Sequence, residues 1–319
     1  MSSFFKSLAP QLSAYPVSRA ILEELDAQMP LLLKATVEAS CSPFAGRLAT
    51  LELIGQRLNG IYGDPANWLR QSVRSYVVLS VEFLELQRRL EKCGHYLYST
   101  EKEAMEHVYH NKDVYGSDYL NGLLLSQPLW PNHYLMNKVF FTEKFLPGIK
   151  KNPESLEVGV GTGFQLYQLL TAHEDVRYTG LDISDFAIDR AGKFAFGHKG
   201  RPNARFINRN VSDGIPFEDN KFDSVMMGEV LEHVENPLVV LKELARVAAP
   251  DAPIFVTTAI FAASSDHIYL FENAQEVREL ISNAKLSIEL EDVLPVYPSD
   301  SPESSKRPLN YCAVLKKQA

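Results

Sequence analysis

From residue 153 to the end, short apolar runs of strand length alternate with amphipathic stretches of helix length, and this alternation constrains the fold more than any other feature of the chain. A strand that is followed by a helix pairs in parallel with the next strand through a crossover, so repeated strand–helix units build a sheet covered on both faces. Strands are predicted at Ser155–Val158, Tyr178–Asp182, Arg205–Asn208, Phe222–Met227, Ile254–Ala259, Ser287–Leu294 and Tyr311–Lys316. The last two flank a Pro- and Ser-rich segment, 298–308, and read as an antiparallel pair at one edge. The expected class is α/β, with a seven-stranded, mostly parallel sheet.

Before residue 150 the pattern is helical, with no strand alternation. Asp64 is a good N-cap with Pro65 at the first helical position, and the apolar periodicity runs from Trp68 through Tyr76 and Leu84 to Leu90, with Gly94 as its stop. Thr100-Glu101-Lys102-Glu103 has capping-box spacing and starts a second helix. Shorter helices are predicted over 17–29, 44–58, 117–126 and 132–146. The boundary is placed at Pro147-Gly148, giving an all-helical domain, 1–148, that covers substrate, and a cofactor-binding domain, 149–319.

Composition narrows the function. The net charge is -8 and the basic residues are scattered, whereas nucleic-acid binders carry a basic face, so a small molecule is the expected partner, with neither nucleic acid nor membrane. No apolar run approaches the roughly 20 residues of a membrane span, and the N-terminus lacks the basic and apolar regions of a signal peptide, which places the expected site of action in the cytoplasm. Cys41, Cys93 and Cys312 have no CxxC spacing and read as reduced, structural thiols.

The first strand leads into Glu157-Val158-Gly159-Val160-Gly161-Thr162-Gly163. Glycines at 159, 161 and 163 allow a tight turn and close approach of a ligand to the backbone. A dinucleotide fingerprint needs glycine at 164, where Phe164 stands, and pyrophosphate would be poorly served beside Glu157. A cofactor with an ammonium and a sulfonium but no phosphate fits better. Asp182, at the end of the second strand, can accept from both ribose hydroxyls.

With these motifs, and with Ile215-Pro216-Phe217-Glu218-Asp219 and Glu229-Val230-Leu231-Glu232-His233-Val234 following in order, residues 150–319 resemble the class I S-adenosylmethionine-dependent methyltransferases. The resemblance implies a Rossmann-like sheet and S-adenosylmethionine as cofactor. It also implies that Glu157 orders the loop and the amino-acid end, that Gly159, Gly161 and Gly163 back the cofactor, and that Asp182 holds the ribose while Ile183 lies on the adenine, with Val211 among the cofactor-binding residues. One position departs: where the family usually has an aspartate for the adenine amino group, this chain has Asn210, whose amide oxygen could accept the same bond.

Glu229, Glu232 and His233 would share one face if the fourth strand led directly into a helix. With His267 they would form a divalent-metal set, for magnesium or manganese with further oxygens and for zinc or iron with nitrogens. The spacing is similar to the ExxEH arrangement of quinone-biosynthesis and small-RNA 2'-O-methyltransferases. Without a metal, His267 or His233 would serve as general base. Residues 95–145 are crowded with aromatic rings that read as a lid over the catalytic face, with His133 and Tyr115 facing the pocket; the same rings would serve as the core of a helical domain or the interface of a homodimer. The reaction expected is methyl transfer to oxygen of a hydroxy- or keto-acid, a phenol or a quinone precursor. Carbon or nitrogen methylation, for example of a 2-oxo acid, and a non-catalytic cofactor-binding partner are the alternatives.

Overall fold

The computed structural model describes residues 1–39, 44–109, 116–197, 203–297 and 300–318. The N-terminal helices are α1 (Ser3–Leu8), α2 (Pro16–Gln28), α3 (Pro30–Glu38), α4 (Phe44–Tyr62), α5 (Leu69–Cys93), α6 (Glu101–Ala104), α7 (Ser117–Leu129) and α8 (Pro131–Tyr134). Asp64 caps as expected, its carboxylate accepting from the Ala66 N–H at 2.8 Å, and Gly94 ends α5 in the left-handed conformation. The single helix expected between them is broken at Trp68, whose indole is buried and donates to Asn59 at 2.8 Å; a 3-10 turn, Pro65–Asn67, precedes α5 proper. The helix expected over 132–146 continues α8 as a wide π-type coil, Leu135–Phe145. Helices α1 and α3 were not expected, although Pro30 at the first position of α3 is a start signal.

The strands are β1 (Glu154–Val158), β2 (Arg177–Asp182), β3 (Ala204–Asn208), β4 (Ser224–Gly228), β5 (Ile254–Ile260), β6 (Leu286–Pro295) and β7 (Leu309–Lys317), each within two residues of its predicted bounds. They form one sheet in the order β3-β2-β1-β4-β5-β7-β6. The first five run parallel; β7 is antiparallel to both β5 and β6. All seven residues of β5 are buried, as a central strand covered on both faces requires. The connecting helices are α9 (Phe164–Ala172), α10 (Asp185–Phe196), α11 (Pro237–Val247) and α12 (Ala274–Asn283).

The helical half packs against the sheet half at several points. Phe164 and Phe194, from α9 and α10, belong to the same apolar cluster as Leu22, Leu51, Trp68 and Leu124. On the opposite side, Leu90 and Tyr96 join the cluster built on β4, β5 and α11. The Gln87 amide of α5 donates to the Phe261 carbonyl and accepts from the Ala263 N–H, both at 3.0 Å, so it fixes the backbone just after β5. No helix among the described residues is long and apolar enough to cross a membrane. Cys312 is buried and Cys93 exposed, both as free thiols; Cys41 lies outside the described residues.

Candidate active site

The carboxyl ends of β1, β2, β4 and β5 open into a cavity of 690 Å³, within the usual range for a ligand site. Gly159, Val160, Gly161 and Thr162 line it. Gly161 has φ +45°, and a Cβ placed there would meet nothing within 4 Å, so the turn presents bare backbone to the cavity. Gly163 does not line the cavity, contrary to expectation. Its φ is +77° and an added Cβ would lie 2.5 Å from the Ala191 Cα, so this glycine lets α9 and α10 meet.

Glu157 is buried and accepts the Tyr178 hydroxyl at 2.5 Å. Burial pushes its pKa up to about 8, against the lowering pull of the Tyr178 bond, with the Asp182 charge adding to the rise. Asp182 takes the Gly161 N–H at 3.1 Å on one oxygen and the Ser184 N–H at 2.9 Å on the other. Each oxygen keeps a lone pair, so one carboxylate can order the loop and accept two further hydroxyls. Ile183, Asn210 and Val211 line the same end of the cavity. The Asn210 amide is oriented by its neighbours: its oxygen accepts the Ser212 N–H at 2.9 Å, and its nitrogen donates to Glu101 at 2.8 Å.

The expected helical face on Glu229, Glu232 and His233 does not form. Glu229 takes a left-handed backbone, φ +53°, as the chain leaves β4, and its N–H stays tied to Thr257 of β5 at 3.0 Å. A short 3-10 turn, Leu231–His233, follows, and the helix begins only at α11, capped by Asn236. Glu232, His233 and His267 nevertheless converge, one ligand atom from each lying within 4.8 Å of the others. Glu229 is not one of that group. One of its oxygens accepts from Asn310 at 2.8 Å, and the other is buried with no partner. Burial, with the Glu232 charge beside it, raises the Glu229 pKa far above the usual carboxylate range.

The two imidazoles are held by backbone carbonyls. His267 Nδ1 lies 2.7 Å from the Ala262 oxygen and His233 Nδ1 lies 3.0 Å from the Asp266 oxygen. A carbonyl can only accept, so both Nδ1 atoms carry hydrogen and each neutral ring keeps its lone pair on Nε2. Burial opposes a charge on His233, but Asp266 and Glu232 outweigh it and raise its pKa. Burial and the neighbouring His233 lower that of His267. The pair thus divides into a ring that holds a proton more readily and one that stays free to accept.

His133 also faces the cavity. Burial pushes its pKa down to about 4, and its Nδ1 lies 2.9 Å from the Ser126 hydroxyl, so the ring is neutral at pH 7. Of the aromatic crowd, Tyr109, Tyr119 and Trp130 line the cavity, whereas Phe140 and Phe141 pack against Phe255 in the core. Tyr115 lies outside the described residues.

The motif loop, the β2 carboxylate and the strand order now stand together, and residues 156–256 match a family described as a methyltransferase domain. Over those residues the chain contains a methyltransferase domain. Over 101 residues it is 33% identical to an O-methyltransferase of Aspergillus nomiae, covering 32% of this chain and 44% of that protein. Over 109 residues it is 35% identical to a demethylmenaquinone methyltransferase of Staphylococcus haemolyticus, covering 33% of this chain and 43% of that one. The chain therefore spans less than half the length of these curated relatives. A solved S-adenosylmethionine-dependent methyltransferase of Aquifex aeolicus aligns with a TM-score of 0.41 at 22% identity, over 57% of this chain and 94% of that one.

Several residues around the methyltransferase domain escaped sequence reasoning. Asp266 accepts the Tyr109 hydroxyl at 3.2 Å and faces His233 at 3.5 Å. Tyr96 packs edge-on to His267 and donates to the same Ala262 carbonyl, at 3.0 Å. Glu101 reaches the loop after β3 across 109 positions. Only the Asp-His dipeptide at 266–267 was a local signal; the other contacts join distant segments.

Proposed function

We propose that this chain transfers a methyl group from S-adenosylmethionine to an oxygen of a small, neutral, largely apolar acceptor in the cytoplasm. The observation that carries the reading is a single cavity containing Glu157, Gly161 and Asp182 at one end and the paired imidazoles of His233 and His267 beside them. When bound, S-adenosylmethionine supplies an electrophilic methyl group on a sulfonium. Asp182 would hold the ribose, and Glu157 would face the ammonium end. Without a metal ion, His267, with its free Nε2, would take the acceptor's proton, and His233 with Asp266 would hold it nearby; with an ion on Glu232, His233 and His267, the ion would instead ease loss of that proton. Holding the acceptor atom in line can contribute roughly 7–11 kcal/mol to the rate, so the helices of 1–148, as the covering domain, do much of the catalysis by positioning.

The acceptor's character follows from the far wall, where Leu79, Phe83, Met105, Leu123 and Trp130 present apolar surface. Among the described residues the one lining side chain with a permanent positive charge is Arg209, and two of its nitrogens donate to the carbonyls of Gly214 and Asp213 at 2.6 Å. The lining carries many more carboxylates than cations, which favours a neutral phenol or quinol over a hydroxy- or keto-acid. The Staphylococcus relative's name, demethylmenaquinone methyltransferase, agrees with a quinone-type acceptor, and the Aspergillus relative's name agrees with transfer to oxygen.

The donor set Glu232, His233 and His267 fits a divalent ion, and two imidazoles with one carboxylate favour zinc or iron over magnesium. Such an ion would lower the pKa of an acceptor hydroxyl. The decisive experiment is methyl transfer from labelled cofactor to matched neutral and carboxylated phenols, with metal content measured in parallel. Turnover of the neutral phenols, with about one zinc or iron per chain that His267→Ala loses and Glu229→Ala retains, is the expected result. Preference for the acids would overturn the acceptor assignment, and full activity in chelator without bound metal would overturn the ion. Cofactor binding with no turnover on any acceptor would favour a non-catalytic partner.

Glu157 gives a second test. Its folded pKa, about 8, lies above the ordinary 4.5, so the folded state holds the extra proton. Stability is then fullest below pH 4.5 and falls as pH rises toward 8. Thermal denaturation of the cofactor-free protein between pH 5 and 8 should show this decline, and Glu157→Gln should flatten it. An unchanged slope in the variant would assign the decline to other groups.

A further inference from the structure

Glu101 opens α6 and lines the cavity at the end shared by Ile183, Asn210 and Val211. Its carboxylate accepts three hydrogen bonds, from the Asn210 amide at 2.8 Å, the Ser212 hydroxyl at 2.6 Å and the Glu235 N–H at 3.1 Å. The Glu101 N–H in turn donates to the Glu235 carboxylate at 2.9 Å. An ionised carboxylate offers about four acceptor positions, so one remains, on the oxygen that holds Asn210. That position adjoins the residue standing where an aspartate would be expected to take the adenine amino group.

We propose that Glu101 supplies the missing carboxylate and, with Asn210, reads the 6-amino group of the cofactor's adenine. The inference rests on the cofactor assignment made above. An amide oxygen alone would accept the amino group but would also tolerate a rotated or altered base edge, because its own NH2 can donate. A carboxylate only accepts, so it favours the amino group and repels a carbonyl at the same position. Glu101 is delivered by the helical half rather than by the methyltransferase domain, so recognition of the base depends on α6 being seated against the loop after β3.

The test compares S-adenosylhomocysteine with its 6-oxo analogue, S-inosylhomocysteine, by calorimetry on the full chain. The wild type should prefer the adenine form by at least thirtyfold. Glu101→Gln, which keeps size and can donate to a carbonyl, should lower that preference at least tenfold, with Glu101→Asp in between. Ser212→Ala removes one bond of the strap without touching the base edge and should weaken both ligands by the same factor. Wild-type discrimination in Glu101→Gln, with S-adenosylhomocysteine still bound, would overturn the role of Glu101 while leaving the cofactor intact. Failure of the wild type to bind S-adenosylhomocysteine at all would overturn both.

Discussion

Replacing Asp182 with alanine is expected to raise the dissociation constant for S-adenosylmethionine about a hundredfold. Two hydrogen bonds from ribose hydroxyls to a carboxylate contribute on the order of 3 kcal/mol together, and each 1.4 kcal/mol is tenfold in affinity. The side chain does more than meet the ribose: it also takes the Gly161 and Ser184 N–H groups, so its removal loosens the turn that must present bare backbone to the ligand. Asp182→Asn keeps an acceptor for one of these groups and should lose less. Titration calorimetry decides the point, and an alanine variant within threefold of wild type would remove Asp182 from the cofactor site.

The second large effect is on stability. Gly163→Ala would place a methyl group 2.5 Å from the Ala191 Cα and 2.7 Å from its carbonyl oxygen, at a φ of +77°. Both obstacles are backbone, which cannot rotate aside as a side chain would. Left-handed strain of about 1–2 kcal/mol and overpacking of about 1–3 kcal/mol together imply a loss of roughly 3 kcal/mol, or about 5–10 °C in melting temperature. Gly161→Ala is the contrasting variant. It carries the same left-handed strain of about 1–2 kcal/mol at φ +45°, but its Cβ meets open space, so it should cost less stability than Gly163→Ala while impairing cofactor binding. Equal melting temperatures for the two would mean that α9 and α10 are not held apart by so narrow a margin.

The sheet was readable from sequence because each strand is a short apolar run closed by turn residues, as at Val158-Gly159 and Asp182-Ile183-Ser184. The glycine loop and Asp182 were readable as one end of the cavity because they lie where β1 and β2 end. The β4 exit was misread for a local reason. Glu229, Glu232 and His233 have helical spacing, but Glu229 sits in a left-handed conformation enforced by Thr257 on the neighbouring strand. Asn236-Pro237, a cap followed by proline, was the signal that the helix starts later. Glu101, Gln87 and Asn310 were beyond reach, since each acts through partners 80 or more positions away.

The apolar cluster shared by Phe164 and Phe194 with the N-terminal helices bears on how such a chain could be re-engineered. A graft that exchanged the first 148 residues for those of another enzyme would strand two phenylalanines on the surface of α9 and α10. It would also deprive the turn after β5 of the Gln87 amide that shapes it. Acceptor preference in this architecture is therefore better altered by point changes inside the cavity wall than by swapping modules, because the seam between the two halves is itself part of the hydrophobic interior.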